Sequence, residues 1–339
     1  MTLTSTTRLL SPEEIAVQAG QQVPYLRLPE RTTLFAEREM RLRQLAAGGH
    51  AMRDFLLFMA ELAHAQHALL QGFPAVALPD AAALDAASRA GLPPLPAEHW
   101  PRDPAWRDGL RRLLDALLPR LAGSPAQAAV QALKDGHAGD DGWLDQQADR
   151  LLTGVMLGLD LAAAPLLAAA LQVYWTQLVL ATQAARGADR LPPFGRTDDA
   201  TLCPCCGSRP VASISRIGGN DAGFRYLQCA LCAAQWHMVR IKCTHCLGTK
   251  GIHYQSPQRV GSEARDAKPA TEAETCDACG HYLKIVHMER DVNAEPVADD
   301  LGSVMLDLLV SEAGFQRQGI NLMLLFGEPG PADDDGGGG

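Results

Sequence analysis

Four Cys-X-X-Cys pairs constrain this chain more than any other feature: Cys203/Cys206, Cys229/Cys232, Cys243/Cys246 and Cys276/Cys279. Two intervening residues let a tight turn point both sulfurs at one ion, and two such knuckles complete a tetrahedral thiolate site. Gly207 and Gly280 directly follow a second cysteine, and Gly248 comes two residues after one. Glycine there permits the positive φ that turns backbone N–H groups towards sulfur. Eight cysteines so spaced within 77 residues imply two four-cysteine metal sites. Chain order points to local pairing, the first two knuckles making one site and the last two the other; a crossed pairing satisfies the same spacing. The ninth cysteine, Cys205, lies inside Cys203-Pro-Cys-Cys206, as a spare small residue or a thiol able to replace a ligand. Thiol–disulfide exchange needs such a pair at a helix N-terminus in a βαβ unit, whereas these four lie among predicted strand hairpins. Zinc in such a site is structural; iron in the same rubredoxin-like geometry passes one electron.

No cysteine precedes Cys203, and Met1–Arg8 carries neither an apolar stretch nor a small-residue cleavage site. A cytoplasmic protein with reduced thiols is the expectation. The chain has 30 Lys plus Arg against 39 Asp plus Glu, a net charge of −9, which argues against a general nucleic-acid or anionic-membrane binder. Between Cys203 and Arg290 the balance reverses, with 11 basic and 7 acidic residues. A divalent ion with four thiolates contributes −2, so two sites cancel that formal +4 and the nucleic-acid signal with it. From Leu151 to Ala185 the only charge is Asp160, a stretch long enough to cross a bilayer. Its window Leu161–Ala181 is Ala-rich, contains Pro165, Gln172, Thr176 and Gln177, and has Asp149, Arg150 and Asp160 as the nearest preceding charges, which is not a basic flank. A buried helix of an all-α domain, without membrane insertion, is the expectation.

The first two hundred residues read as helices. Ser11-Pro12-Glu13-Glu14 is a capping box opening a short helix that ends near Gly20. Further helices are expected over 29–46, 50–71, from Asp80 to before Gly91, over 106–121, from a second capping box at Ser124-Pro125-Ala126-Gln127, and over 143–160 and 163–186. His64 and His67 on the helix expected over 50–71 read as ordinary helix histidines, and His137 to Gly142 as a polar turn. Arg190 to Gly195 supplies a boundary. Beyond it, short strands are expected at 210–217, 224–229, 235–241, 252–255 and 282–288. One helix follows at 299–313, with Leu301, Val304, Met305, Leu308 and Leu309 on its apolar face. The Asp/Gly tail buries nothing and should be disordered. The fold class is α+β and multidomain: an all-α helical domain (1–196), a tandem rubredoxin-like or zinc-ribbon metal domain of short antiparallel strands (197–290), a C-terminal helix and extension (291–328) and a tail (329–339).

The run Cys229-Ala-Leu-Cys-Ala-Ala-Gln-Trp-His-Met-Val-Arg-Ile-Lys-Cys-Thr-His-Cys246 resembles the central signature of the formate dehydrogenase accessory protein family, FdhE. Cys203-Pro-Cys-Cys-Gly-Ser208, Lys250-Gly-Ile-His-Tyr254, Cys276-Asp-Ala-Cys-Gly280, Tyr282-Leu-Lys-Ile285, Val297-Ala-Asp-Asp-Leu301 and Gly319-Ile-Asn321 fit the same pattern. The resemblance is specific from about 200 to 326; Cys205 and the Asp/Gly tail lie outside it. It implies a cytoplasmic maturation factor, not an enzyme, that acts on the catalytic subunit of respiratory formate dehydrogenase before export. It also implies rubredoxin-like iron at the eight paired cysteines, with zinc satisfying the same donors. Homo-oligomerisation is compatible with it. No P-loop, dinucleotide fingerprint or Ser/His/Asp order competes. Two other classes share the cysteine pattern: a soluble electron carrier and a nucleic-acid-binding zinc ribbon. His237, Arg240 and Lys242, between knuckles, are candidate client contacts or plain solvent-facing strand residues.

Overall fold

The computed structural model describes residues 23–186, 192–218, 222–257 and 269–325. The first capping box, part of the expected boundary and the Asp/Gly tail lie outside the described residues. Among the described residues, the first half holds seven helices: α1 (Leu34–Ala47), α2 (Arg53–Gln71), α3 (Ala81–Arg89), α4 (Ala105–Leu117), α5 (Pro125–Gly136), α6 (Asp141–Thr153) and α7 (Ala164–Arg186). A 3-10 turn over Leu118–Leu121 extends α4.

Helix α7 is the axis of this half, packed against α2, α4 and α6. It is long and apolar enough to cross a membrane, yet 83% of its most apolar window is buried inside the protein. Ala168, Ala169 and Ala170 are fully buried, and small side chains let neighbouring helices approach closely. Several of its polar groups find partners within the protein. The Tyr174 hydroxyl accepts from Trp100 Nε1 and the Asp103 backbone N–H, each at 3.1 Å. Trp175 Nε1 donates to the Leu95 carbonyl at 3.3 Å. Gln172 accepts from Gln66 Nε2 at 3.0 Å.

The expected helix over 143–160 is shorter in the structure. Gly154 adopts φ +73°, a left-handed cap that ends α6. Gln147 then ties down the following turn, donating to the Gly158 carbonyl at 3.0 Å and accepting from the Asp160 N–H at 2.8 Å. Asp160 in turn accepts from the N–H groups of Ala162 and Ala163, starting α7. Ser124, expected to cap α5, instead donates its hydroxyl to the Leu121 carbonyl, and Gln127 takes the Gly123 N–H.

Among the described residues, seven strands of the second half and one from the start of the chain form an eight-stranded sheet. Its strands are β1 (Leu26–Arg27), β2 (Pro210–Ser215), β3 (Arg225–Cys229), β4 (Gln235–His237), β5 (Ile252–Gln255), β6 (Thr271–Cys276), β7 (His281–His287) and β8 (Gln316–Arg317). The order is β1-β4-β3-β2-β7-β6-β5, with β8 beside β7. The sequence doubling is visible as two antiparallel meanders, β4-β3-β2 and β7-β6-β5, joined by the parallel pair β2/β7. In each meander one knuckle precedes the first strand and the other links the second strand to the third. Strand β6 escaped the sequence reading because Thr-Glu-Ala-Glu-Thr lacks apolar alternation. It is buried because its glutamates are paired: Glu274 with Arg225 at 2.9 Å and Glu272 with Arg290 at 2.9 Å.

The expected helix at 299–313 is two helices, α8 (Pro296–Leu301) and α9 (Val304–Glu312). Glu295 caps α8 by accepting the Ala298 N–H at 2.7 Å, and the run breaks at Gly302, the C-cap of α8, whose N–H donates to the Ala298 carbonyl at 2.8 Å. The apolar face expected on this run is also corrected. Met305, Leu308 and Leu309 are exposed, while Leu306, Asp307 and Val310 face inward. Asp307 decides the rotation, because it is drawn to Lys284 at 2.5 Å and to the Tyr282 hydroxyl at 2.8 Å.

Candidate metal centre

The structure brings the eight paired cysteines into two sets, Cys203, Cys206, Cys229 and Cys232, and Cys243, Cys246, Cys276 and Cys279, the sulfurs of each set lying within 4.8 Å of one another. Strand register places them. Pro210 opposes Cys229 across β2/β3, and Ile252 opposes Cys276 across β5/β6, so each strand-end cysteine meets the knuckle that precedes its partner strand.

The knuckles share one backbone design. The carbonyl of the first cysteine accepts the N–H of the residue after the second: Gly207 to Cys203 at 2.8 Å, Leu247 to Cys243 at 3.2 Å and Gly280 to Cys276 at 2.9 Å. That following residue is left-handed in all four knuckles, with φ +74° at Gly207, +60° at Ala233, +59° at Leu247 and +69° at Gly280. In the third knuckle the sequence pointed to Gly248, but Leu247 takes the strained position and Gly248 supplies the carbonyl that accepts the Cys243 N–H at 2.8 Å. Backbone N–H groups then reach sulfur, from Leu231 and Cys232 to Cys229 at 3.4 Å and from His245 to Cys243 at 3.4 Å.

The donor spacing fits a tetrahedral ion. A metal–sulfur bond of about 2.3 Å sets sulfur–sulfur edges of about 3.8 Å. The measured edges are 3.5 Å for Cys203–Cys232 and for Cys206–Cys229, 3.6 Å for Cys243–Cys279 and 3.8 Å for Cys246–Cys276. Disulfides, at about 2.05 Å, are excluded by the same distances. The thiol chemistry fits too. Burial opposes ionisation of Cys203, but hydrogen bonds from the neighbouring thiols outweigh it and bring Cys203 well below the ordinary thiol value. Burial pushes Cys229 and Cys232 well above it, and Cys279 up to about 12. Such mixed sets hold protons until a cation displaces them.

The two sets differ in exposure. All four cysteines of the first are buried, whereas in the second Cys246 is exposed and Cys279 half-buried. The inner set is held from the helical half. Gln172 of α7 donates to the Ala230 carbonyl at 2.7 Å, and the Leu95 and Ala97 N–H groups donate to the Cys205 and Cys206 carbonyls at 3.1 and 2.9 Å. Cys205 is fully buried against the inner sulfurs, and burial pushes its thiol well up. Of the candidate client contacts, His237 and Arg240 are engaged through their side chains and Lys242 through its backbone carbonyl. His237 stacks edge-on against Phe224 and Tyr226, Arg240 hydrogen-bonds Ser215, and the Lys242 carbonyl accepts from Arg225 at 2.9 Å.

Sequence reasoning missed two features. His281 stacks on His245 beside the outer set, a neighbourhood visible only once β7 is placed. The motifs around Tyr282, Lys284, Asp300 and Asn321 also converge in one buried network. Lys284 lies 3.1 Å from Asp300, Arg317 reaches Asp300 at 2.6 Å, and Asn321 donates to it at 2.8 Å. Burial opposes it, yet Lys284 and Arg317 hold the Asp300 carboxyl below the usual carboxylate range. Next to it, Asp299 pairs with Arg41 of α1 at 2.6 Å, joining α1 to α8.

Three family descriptions match consecutive stretches of the chain: "FdhE, N-terminal" over residues 23–190, "FdhE, central domain" over 202–240 and "FdhE, C-terminal domain" over 241–324. A protein FdhE homolog of Pseudomonas aeruginosa is 40% identical over 320 residues, covering 94% of this chain and 98% of the relative. A protein FdhE of Escherichia coli is 35% identical over 314 residues, covering 92% and 94%. The crystal structure of the FdhE protein from Pseudomonas aeruginosa superposes with a TM-score of 0.73 at 38% identity, covering 90% of this chain and 100% of that one. With matching descriptions along most of its length, full-length relatives at this identity and a shared fold, the chain belongs to the FdhE family.

Proposed function

We propose that this protein is a maturation factor for respiratory formate dehydrogenase that binds the catalytic subunit in the cytoplasm before its export. Family membership supports the choice of client. The observation that carries the metal part of the reading is the pair of four-sulfur sets with edges near those of a tetrahedral thiolate ion. Cys203, Cys206, Cys229 and Cys232 would hold one ion, and Cys243, Cys246, Cys276 and Cys279 the other. Iron is favoured by the family resemblance and zinc suits the same donors; zinc stabilises the fold, while iron also passes one electron. The inner set lies where α7 and residues 95–97 meet the sheet, so its role is to fix the joint between the halves. The outer set faces solvent, where a client is reached.

The exposed Cys246 favours one second reading, a soluble electron carrier working through the outer site. Reversible bleaching of a ferric-thiolate absorption in anaerobically purified protein supports that reading, and a colourless zinc protein removes it. For the main reading, Cys229→Ser should abolish formate dehydrogenase activity in the host while the dehydrogenase subunits are still made and their co-purification with this protein is lost. Cys205→Ala serves as the control and should retain both. Full activity in Cys229→Ser cells overturns the proposal.

A further inference from the structure

Three groups that can ligate a metal, His245, His281 and the Cys279 sulfur, lie within 4.8 Å of one another at the rim of the outer set. We propose that these three form a landing site through which a divalent transition-metal ion enters and leaves the outer four-sulfur site. The inference rests on reading the outer thiols as a metal site and adds how that site is filled.

The argument begins with access. A closed four-thiolate shell has no vacant position, so an ion enters or leaves only if another ligand can hold it partway. Three protein ligands plus water is the open pattern that exchanges. Imidazole is a ligand for zinc and iron alike. Among the described residues, no histidine joins the inner set, whose neighbouring thiol Cys205 is fully buried with it, whereas the outer set shares Cys279 with the two histidines. His281 is already prepared. Its Nδ1–H donates to the Cys279 carbonyl at 2.8 Å, which fixes the tautomer and leaves Nε2 as the basic nitrogen. His245 is exposed and stacks on His281 with centroids 3.7 Å apart and planes 5° from parallel. Parallel rings cannot both aim a lone pair at one ion, so binding opens the stack, and exposed His245 is the ring that swings.

The exchange balances without redox change. A six-coordinate hydrated divalent ion binds the Cys279 sulfur and both imidazoles and becomes four-coordinate, releasing five waters and the Cys279 proton and keeping one water. Cys246, Cys243 and Cys276 then replace the imidazoles and the remaining water, giving their protons to solvent. Cys279 stays bound throughout. Loss of the ion runs the same steps in reverse.

The test uses full-length protein loaded with zinc and mixed with excess 4-(2-pyridylazo)resorcinol. Wild type should release one ion in a fast phase and one in a slow phase. His245→Ala/His281→Ala should still bind two ions, since both four-sulfur sets are intact, but its fast phase should slow by about tenfold, the scale on which ligand-shell substitutions act. His245 is exposed and His281 half-buried at the start of β7, outside the buried core, so the double variant keeps its core. A second arm uses Cys276→Ser, which should still capture one cobalt ion at the outer site with imidazole ligation and lose it when the histidines are also replaced. An unchanged fast phase in the double variant overturns the landing site. So does a drop to one ion at equilibrium, which would make the histidines resident ligands. Wild type that binds fewer than two ions overturns the underlying reading as well.

Discussion

Replacing Lys284 by Met should be among the most damaging single changes outside the cysteines. Lys284 is 1% exposed and its ammonium lies 3.1 Å from Asp300 and 2.5 Å from Asp307. It also donates to the Asp300 carbonyl at 2.8 Å and to Ser303 Oγ at 3.0 Å. Met fills the volume and leaves two buried carboxylates facing each other. Removing one partner of a buried ion pair costs about 3–5 kcal/mol, because the remaining charge cannot be solvated. Arg317 still reaches Asp300 at 2.6 Å and Asp307 at 3.2 Å, which places the loss towards the lower end. A loss of about 3 kcal/mol lowers the melting temperature by about 6–12 °C for a cooperative unit of this size. Urea unfolding followed by tryptophan fluorescence measures it directly. In Lys284→Met/Asp307→Asn one stranded charge is gone, and about 1 kcal/mol or more should return. A single-variant loss below about 1 kcal/mol, or no recovery in the double variant, refutes the claim that this network anchors α8 and α9 to β7.

Gln172→Leu should cost about 1–3 kcal/mol and weaken metal retention at the inner set before the outer, because the Ala230 carbonyl and Gln66 Nε2 lose their partner; equal loss at both sets counts against it. Leu247→Gly should raise stability by about 0.5–1 kcal/mol, since a left-handed φ of +59° strains any residue with a Cβ, and a destabilised variant refutes the strain. The carboxyl of Asp300 is held low, so the stability it contributes is present above the unfolded carboxylate range and is lost as pH falls through its folded value. Acid titration of wild type against Asp300→Asn should therefore show the difference between them shrinking below about pH 4; a constant difference contradicts the assignment.

The cysteine spacing made the two sulfur sets legible because each knuckle is local: two intervening residues and a left-handed turn are a short-range instruction, and chain order sorts the knuckles. Helix α7 was legible for a similar reason, its composition demanding burial. Other features were hidden because distant partners decide them. Strand β6 reads as polar, and its glutamates become core residues only opposite Arg225 and Arg290. The face of α9 was misread because five apolar residues outvote one aspartate in a periodicity count, whereas in the fold Asp307 must reach Lys284. The two-residue strands β1 and β8 carry no pattern at all. Cys205, outside the four pairs, ties a helical-half loop to the first knuckle through its backbone carbonyl, which receives the Leu95 N–H, a contact that no residue pattern announces.

The central claim, two tetrahedral thiolate ions in one chain, is tested most directly by counting metal in anaerobically purified full-length protein and measuring its X-ray absorption. The account predicts two ions per chain, each with four sulfur neighbours at about 2.3 Å. One ion or none, or resting shells that contain nitrogen, would contradict it.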